Sequence, residues 1–226
     1  MKQHRIWELD ALRGICILLV IGLHLMFDLQ LPLLQQPAMV VFNAAVGIAF
    51  VVLSGLSITL GHHPVRRGLH VFGCGMTISL VTWVMAKLGF LHPNLIIRFG
   101  VLHLLGICMT LWPLFRKRPT WVLAALGAGI LALGYWFRTL TVEVGWLFPL
   151  GLMSPGFSSG DYFPLAPFLG WFFLGAVLGR KIYGKKQSIF ANFSKFFAFF
   201  CFLGRHSLMI YLLHQPILYV FILLLA

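Results

Sequence analysis

Seven apolar runs, most of them close to the length that crosses a bilayer, divide this chain and leave it few ways to fold. They cover residues 12–31, 38–60, 69–90, 96–115, 121–137, 165–178 and 207–226. A helix rises 1.5 Å per residue, so about 20 apolar residues span a hydrocarbon core of about 30 Å. Barrel strands would instead show alternating segments of about 10 residues, and the runs do not alternate. The expected fold is all-α: a polytopic integral membrane bundle of about seven transmembrane helices, forming one domain over residues 1–226.

Composition agrees with this. Apolar residues make up 60% of the 226 positions, charged residues 10%, and the mean hydropathy is +0.95. A water-soluble globule needs a polar skin that this chain lacks. The formal charge of +12 would suggest nucleic acid in a soluble protein. Here the cations lie between apolar runs, so they report topology and no nucleic-acid partner is expected.

The seven runs place 14 of the 17 cations on one side: Lys2, Arg5, Arg13, Arg66, Arg67, Arg116, Lys117, Arg118, Arg180, Lys181, Lys185, Lys186, Lys195 and Arg205. Lys87, Arg98 and Arg138 fall on the other. The positive-inside rule puts the 14 in the cytoplasm, the N-terminus with them, and the C-terminus outside. The first run follows a basic region but has no A-x-A-like cleavage site, so it reads as a retained span.

Two segments fit no span. Residues 189–203 are rich in Phe but carry Asn192 and Lys195, the pattern of an amphipathic helix lying in the interface. If that segment crosses, there are eight spans. The connection 138–164 is too apolar for a free loop and too interrupted by proline for a span. It reads as a re-entrant or lid-like cap, or as an interfacial aromatic belt. The four cysteines, Cys16, Cys74, Cys108 and Cys201, lie in apolar segments without a C-x-x-C pair, so neither disulfides nor a zinc site are expected. Five carboxylates, Glu8, Asp10, Asp28, Glu143 and Asp161, are too scattered for a metal cage.

Ionisable groups inside spans are costly and tend to face a cavity or a partner. His24 lies about 18 Å along the first run and Asp28 about 24 Å. Their i, i+4 spacing sets them on one face, where the carboxylate can orient the imidazole as a base or nucleophile. His103 lies about 10 Å below the outer surface in the fourth run, with Arg98 above it. Asp161 and Tyr162 come from the outer cap. His214 lies about 10 Å from the cytoplasmic side of the last run, followed by Gln215 and Pro216.

The run Arg5-Ile6-Trp7-Glu8-Leu9-Asp10-Ala11-Leu12-Arg13-Gly14 leads to His24-x-x-x-Asp28. Further on stand Phe50-Val51-Val52-Leu53-Ser54-Gly55, Arg98-Phe99-Gly100-Val101-Leu102-His103-Leu104-Leu105-Gly106 and Tyr162-Phe163-Pro164-Leu165-Ala166-Pro167 with Gly170-Trp171. The last is Leu203-Gly204-Arg205-His206-Ser207-Leu208-Met209-Ile210-Tyr211-Leu212-Leu213-His214-Gln215-Pro216. In this order and spacing they resemble the short bacterial members of the heparan-alpha-glucosaminide N-acetyltransferase catalytic-domain family, over nearly the whole chain. Arg13 and His24, ten residues between them, resemble the Arg and His of the first span in the wider superfamily of transmembrane acyltransferases.

The resemblance implies a multi-pass enzyme of the cytoplasmic (inner) membrane. It would move an acetyl or acyl group from cytoplasmic acyl-CoA, a cosubstrate rather than a bound cofactor, to an amine or hydroxyl of a glycan or small-molecule acceptor on the outer side. His24, Asp28 and His103 are then the catalytic candidates. Arg13, Arg66, Arg67, Arg205 and His214 are the acyl-CoA candidates, and Arg98, Asp161 and Tyr162 the acceptor candidates. The animal enzyme of the family has Asn where His24 stands and a catalytic His in the outer loop after the first span. The corresponding loop here, residues 30–37, has none. A covalent acetyl-His route is therefore not carried over directly, and His24 is the base, the acyl carrier or neither. With fewer spans than the animal enzyme, the pore is simpler or is completed by a second copy in a homodimer. The competing readings are a proton-coupled transporter or flippase using His24, Asp28 and His103, and a non-catalytic scaffold.

Overall fold

A computed structural model describes residues 6–190 and 195–225, and Lys2, Arg5 and Asn192 lie outside the described residues. The described chain runs α1 (Trp7–Asp28), α2 (Pro37–Ile58), α3 (Pro64–Lys87), α4 (Val101–Phe115), α5 (Thr120–Phe137), α6 (Leu165–Ile182), α7 (Ala198–Arg205) and α8 (Ser207–Leu225). One helix overlaps each of the seven expected runs, and the protein is an all-helical membrane bundle. The helix starts follow local chemistry. Glu8 and Asp10 occupy the first turn of α1, where carboxylates complement the helix dipole. Pro64 stands at the first turn of α3, where its missing N–H costs nothing.

Five helices, α1, α2, α3, α5 and α6, are long and apolar enough to cross a membrane, and α7 with α8 forms a bent pair, turned by 75°, that qualifies together. Helix α4 is the exception. Its 15 residues reach about 22 Å, short of the hydrocarbon core. The apolar run from Ile96 does not begin as helix, because residues 96–100 are held extended. Ser79 and Thr82 of α3 bond the carbonyl (2.5 Å) and N–H (3.2 Å) of Ile97. Gly160 N–H donates to the Ile96 carbonyl at 3.3 Å, and Phe163 N–H to the Phe99 carbonyl at 2.9 Å. Non-helical backbone at membrane depth needs such partners. The amphipathic helix expected over 189–203 is likewise shorter: a 3-10 turn at Lys195–Phe197 leads into α7, whose eight residues reach about 12 Å and cannot cross alone.

The chain forms two compact units, residues 1–53 with 183–226, and residues 54–182. In the first, α1 packs on α7 and α8. The α1–α7 contact is backbone on backbone: a Cβ at Gly14 would run into the Phe200 carbonyl, and one at Gly204 into the Asp10 carbonyl. The Cys201 thiol donates to the Trp7 carbonyl at 3.3 Å beside these contacts. Glu8 accepts from the Ser188 hydroxyl (2.6 Å) and the Ile189 N–H (2.8 Å), so a buried carboxylate ties the returning chain to the start of α1. Burial and the Glu8 charge together push the Tyr183 phenol up to about 12.

In the second unit α3 packs on α4, α5 on α6, and α4 on α6. Phe115 of α4 meets Phe173 of α6 with ring centres 4.9 Å apart. The connection 138–164 is pinned to the start of α4, through the Phe99–Tyr162 pairing, the Arg98 N–H to Ser159 hydroxyl bond (3.1 Å) and the Ser158 hydroxyl to Asn94 bond (3.2 Å).

Candidate active site

Two clusters of titratable groups result, one in each unit. The first joins α1 and α8. His214 Nδ1 lies 2.6 Å from the Tyr211 carbonyl, which can only accept, so Nδ1 carries the proton. In the neutral ring His214 Nε2 is then an acceptor. The atom facing it at 3.2 Å is His24 Nδ1, which must donate. The same His24 Nδ1 lies 3.0 Å from Gln215 Oε1. The Gln215 amide cannot be reversed, because its Nε2 donates to both Asp28 oxygens at 3.0 Å and a reversed amide would set oxygen against carboxylate. The bonds therefore run in one direction, and in the neutral form of the ring they leave His24 Nε2 as the nitrogen without a proton. Among the described residues none hydrogen-bonds that nitrogen.

This corrects one detail of the sequence reading. Asp28 reaches His24 through the Gln215 amide, because the i, i+4 spacing gives a shared face but the carboxylate turns to the amide donor on α8. His214 was expected among the acyl-CoA groups. It is buried, with one ring nitrogen on a backbone carbonyl and the other on His24, so it points at the imidazole rather than at a phosphate.

Toward the start of α1, the buried Asp10 carboxylate lies 3.6 Å from Arg13 and 3.9 Å from Arg205 of α7. The carboxylate thus lies between two guanidinium groups, with Arg205 exposed. Arg13 stands 11 residues before His24, about 16 Å along the helix.

The second cluster sits at the start of α4. His103 is 2% exposed. Its Nδ1 accepts from the Gly100 N–H at 3.1 Å, and its Nε2 faces the Ser79 hydroxyl at 3.3 Å. Ser79 gives its proton to the Ile97 carbonyl, so its oxygen accepts from His103. Phe99 stacks on one side of the imidazole and Phe72 meets it edge-on. Both ring nitrogens are thus engaged. Asp161 Oδ2 accepts from the Val101 N–H at 3.0 Å, where a carboxylate complements the α4 dipole. The Tyr162 hydroxyl donates to the Phe148 carbonyl at 2.7 Å, and burial pushes this phenol up to about 12. The Arg98 guanidinium lies over the Phe157 ring, 5.7 Å from its centre, and that ring packs on Tyr162. Arg66 and Arg67 are exposed on the first turn of α3. A cavity of about 370 Å³ opens beside Tyr162, lined also by Arg138, Met153 and Phe168.

Two residues had no role in the sequence reading. Gln215 is an amide in an apolar helix, which is itself a signal, because lipid gives it nothing to bond. Ser79 is one of three hydroxyl residues in α3, with Thr77 and Thr82, and carries no such signal.

The family model described as "Heparan-alpha-glucosaminide N-acetyltransferase, catalytic" matches residues 5–216, which takes in both units. No curated protein and no solved structure matches the chain.

Proposed function

This chain belongs to the heparan-alpha-glucosaminide N-acetyltransferase catalytic family, and on that premise we propose that it moves an acyl group from cytoplasmic acyl-CoA to an amine or hydroxyl of a sugar or glycan on the outer side. The observation that carries this reading is the His24 ring, held at Nδ1 by a one-way chain of bonds from Asp28 and from α8, with Nε2 left for the acceptor.

His24 Nε2 takes the proton of the acceptor N–H or O–H as that atom attacks the thioester carbonyl. The C–S bond breaks, and the proton passes on to the departing CoA sulfur. Between these two transfers His24 is an imidazolium. The carboxylate of Asp28, acting through the Gln215 amide, favours that charge, while His214 holds the ring in register. Asp28, Gln215 and His214 are positioning residues here, and His103, with both nitrogens engaged, braces the start of α4. Arg13 and Arg205, sharing Asp10, supply positive charge for the CoA phosphates. Arg98, Asp161 and Tyr162, in the second unit, are the acceptor-binding residues of this reading, and the cavity beside Tyr162 is large enough for a small sugar.

The test is incubation of the reconstituted protein with labelled acetyl-CoA and glucosamine. Transfer of the label is the expected result. A protein that neither transfers nor hydrolyses the acyl group would be the transporter or flippase instead. In the same assay Gln215→Leu, which severs Asp28 from His24 but keeps the base, should lower the rate between about tenfold and a hundredfold, less than removal of the base itself. An unchanged rate would detach Asp28 from the mechanism.

A further inference from the structure

The turn between α4 and α5 carries three consecutive cations, Arg116, Lys117 and Arg118, all exposed and closed by Pro119. A run of charge is ordinarily a solvated loop, but this one is built. The Arg180 guanidinium of α6 lies over the Trp112 ring, 5.5 Å from its centre, and donates to three carbonyls of the turn: Arg118 (2.6 Å), Arg116 (2.7 Å) and Phe115 (3.4 Å). The end of α4, whose last carbonyls have no partner within the helix, is thereby capped. With the Arg116 and Arg118 carbonyls tied down, the three cationic side chains spread from a fixed backbone. Lys181 stands exposed next to the brace on α6.

The flanks fix what faces this turn. Leu114 before it is 66% exposed and Trp121 after it 72%, large apolar groups that belong in lipid just below the headgroups. Cations at the end of a lipid-exposed helix, with an indole beside them, match the phosphate of an anionic phospholipid in the same leaflet. We propose that the braced turn Arg116–Lys117–Arg118 binds an anionic phospholipid headgroup and that Arg180 positions it. The binding is independent of acyl transfer.

Native mass spectrometry of the full chain, released from nanodiscs with equal phosphatidylglycerol and phosphatidylcholine, tests this. The wild type should retain phosphatidylglycerol. A cation near an anionic surface strengthens association about fivefold, so replacing all three by Gln should lower that preference by up to about a hundredfold. Arg180→Lys keeps the three cations, but one ammonium cannot reach three carbonyls as a guanidinium does, so a loss of about fivefold is expected. Equal retention by the triple variant overturns the site. Equal retention by Arg180→Lys overturns the role of the brace. Displacement of the lipid by millimolar inorganic phosphate would overturn the lipid assignment in favour of a soluble phosphate ligand.

Discussion

Replacing His24 with Ala lowers acyl transfer by about 10²- to 10⁴-fold, the usual contribution of a positioned general base, and leaves a folded protein. The effect is large because neither His214 nor His103 can substitute. His214 has one nitrogen on a backbone carbonyl and the other directed at His24, and His103 is enclosed between two phenylalanines with both nitrogens engaged. The structural loss is small by comparison. Ala leaves His214 Nε2 and Gln215 Oε1 without their shared donor, and hydrogen bonds between membrane helices contribute only about 0.6–2 kcal/mol each. His24→Asn separates the two effects. Its amide supplies a donor near the Nδ1 position but no base, so it should be as inactive as His24→Ala and more stable. Transfer rates and thermal unfolding of both variants check this. An active His24→Ala would remove the mechanism.

The second large effect is on stability. Gly204→Val should unfold the first unit, because α1 and α7 approach backbone to backbone and a side chain at 204 meets the Asp10 carbonyl. A helix carbonyl cannot swing aside like the end of a flexible side chain, so the helices must separate. Overpacking a core ordinarily costs about 1–3 kcal/mol, and a displaced backbone belongs at or beyond the top of that range. Against a total stability of about 5–15 kcal/mol, this is enough to remove much of the folded protein. Gly14→Val, aimed at the Phe200 carbonyl, should act alike, whereas Gly22→Val, with open space around it, should not. Midpoints of thermal unfolding in detergent distinguish these, and a Gly204→Val midpoint equal to the wild type would contradict the packing described.

The helices were legible in the sequence because length and apolarity alone specify them. Where the sequence reading departed, tertiary partners decided the outcome. Residues 96–100 are apolar enough for a span, but Ser79, Thr82 and the backbone of 160–163 supply bonds that hold them extended. The end of the 189–203 segment is helical where Cys201 and Gly204 meet α1, a contact that no local pattern announces. The facing of His24 and Asp28 followed from their spacing on one helix. Gln215 could not be joined to Asp28, because 187 residues separate them and only the α1–α8 packing brings them together. His214 and His103 were read by depth alone, and depth does not say which nitrogen already has a partner.

The proposed chemistry depends most on where the proton sits in the His24 ring. Nitrogen-15 NMR of the imidazoles, with the protein in nanodiscs and His24→Asn used to assign the signal, reads this directly. The expected spectrum of the neutral ring has the proton on Nδ1 of His24 and a bare Nε2. A His24 protonated at Nε2 and bare at Nδ1 would mean that the bonds to Gln215 and His214 run the other way, and the base proposed for acyl transfer would not exist.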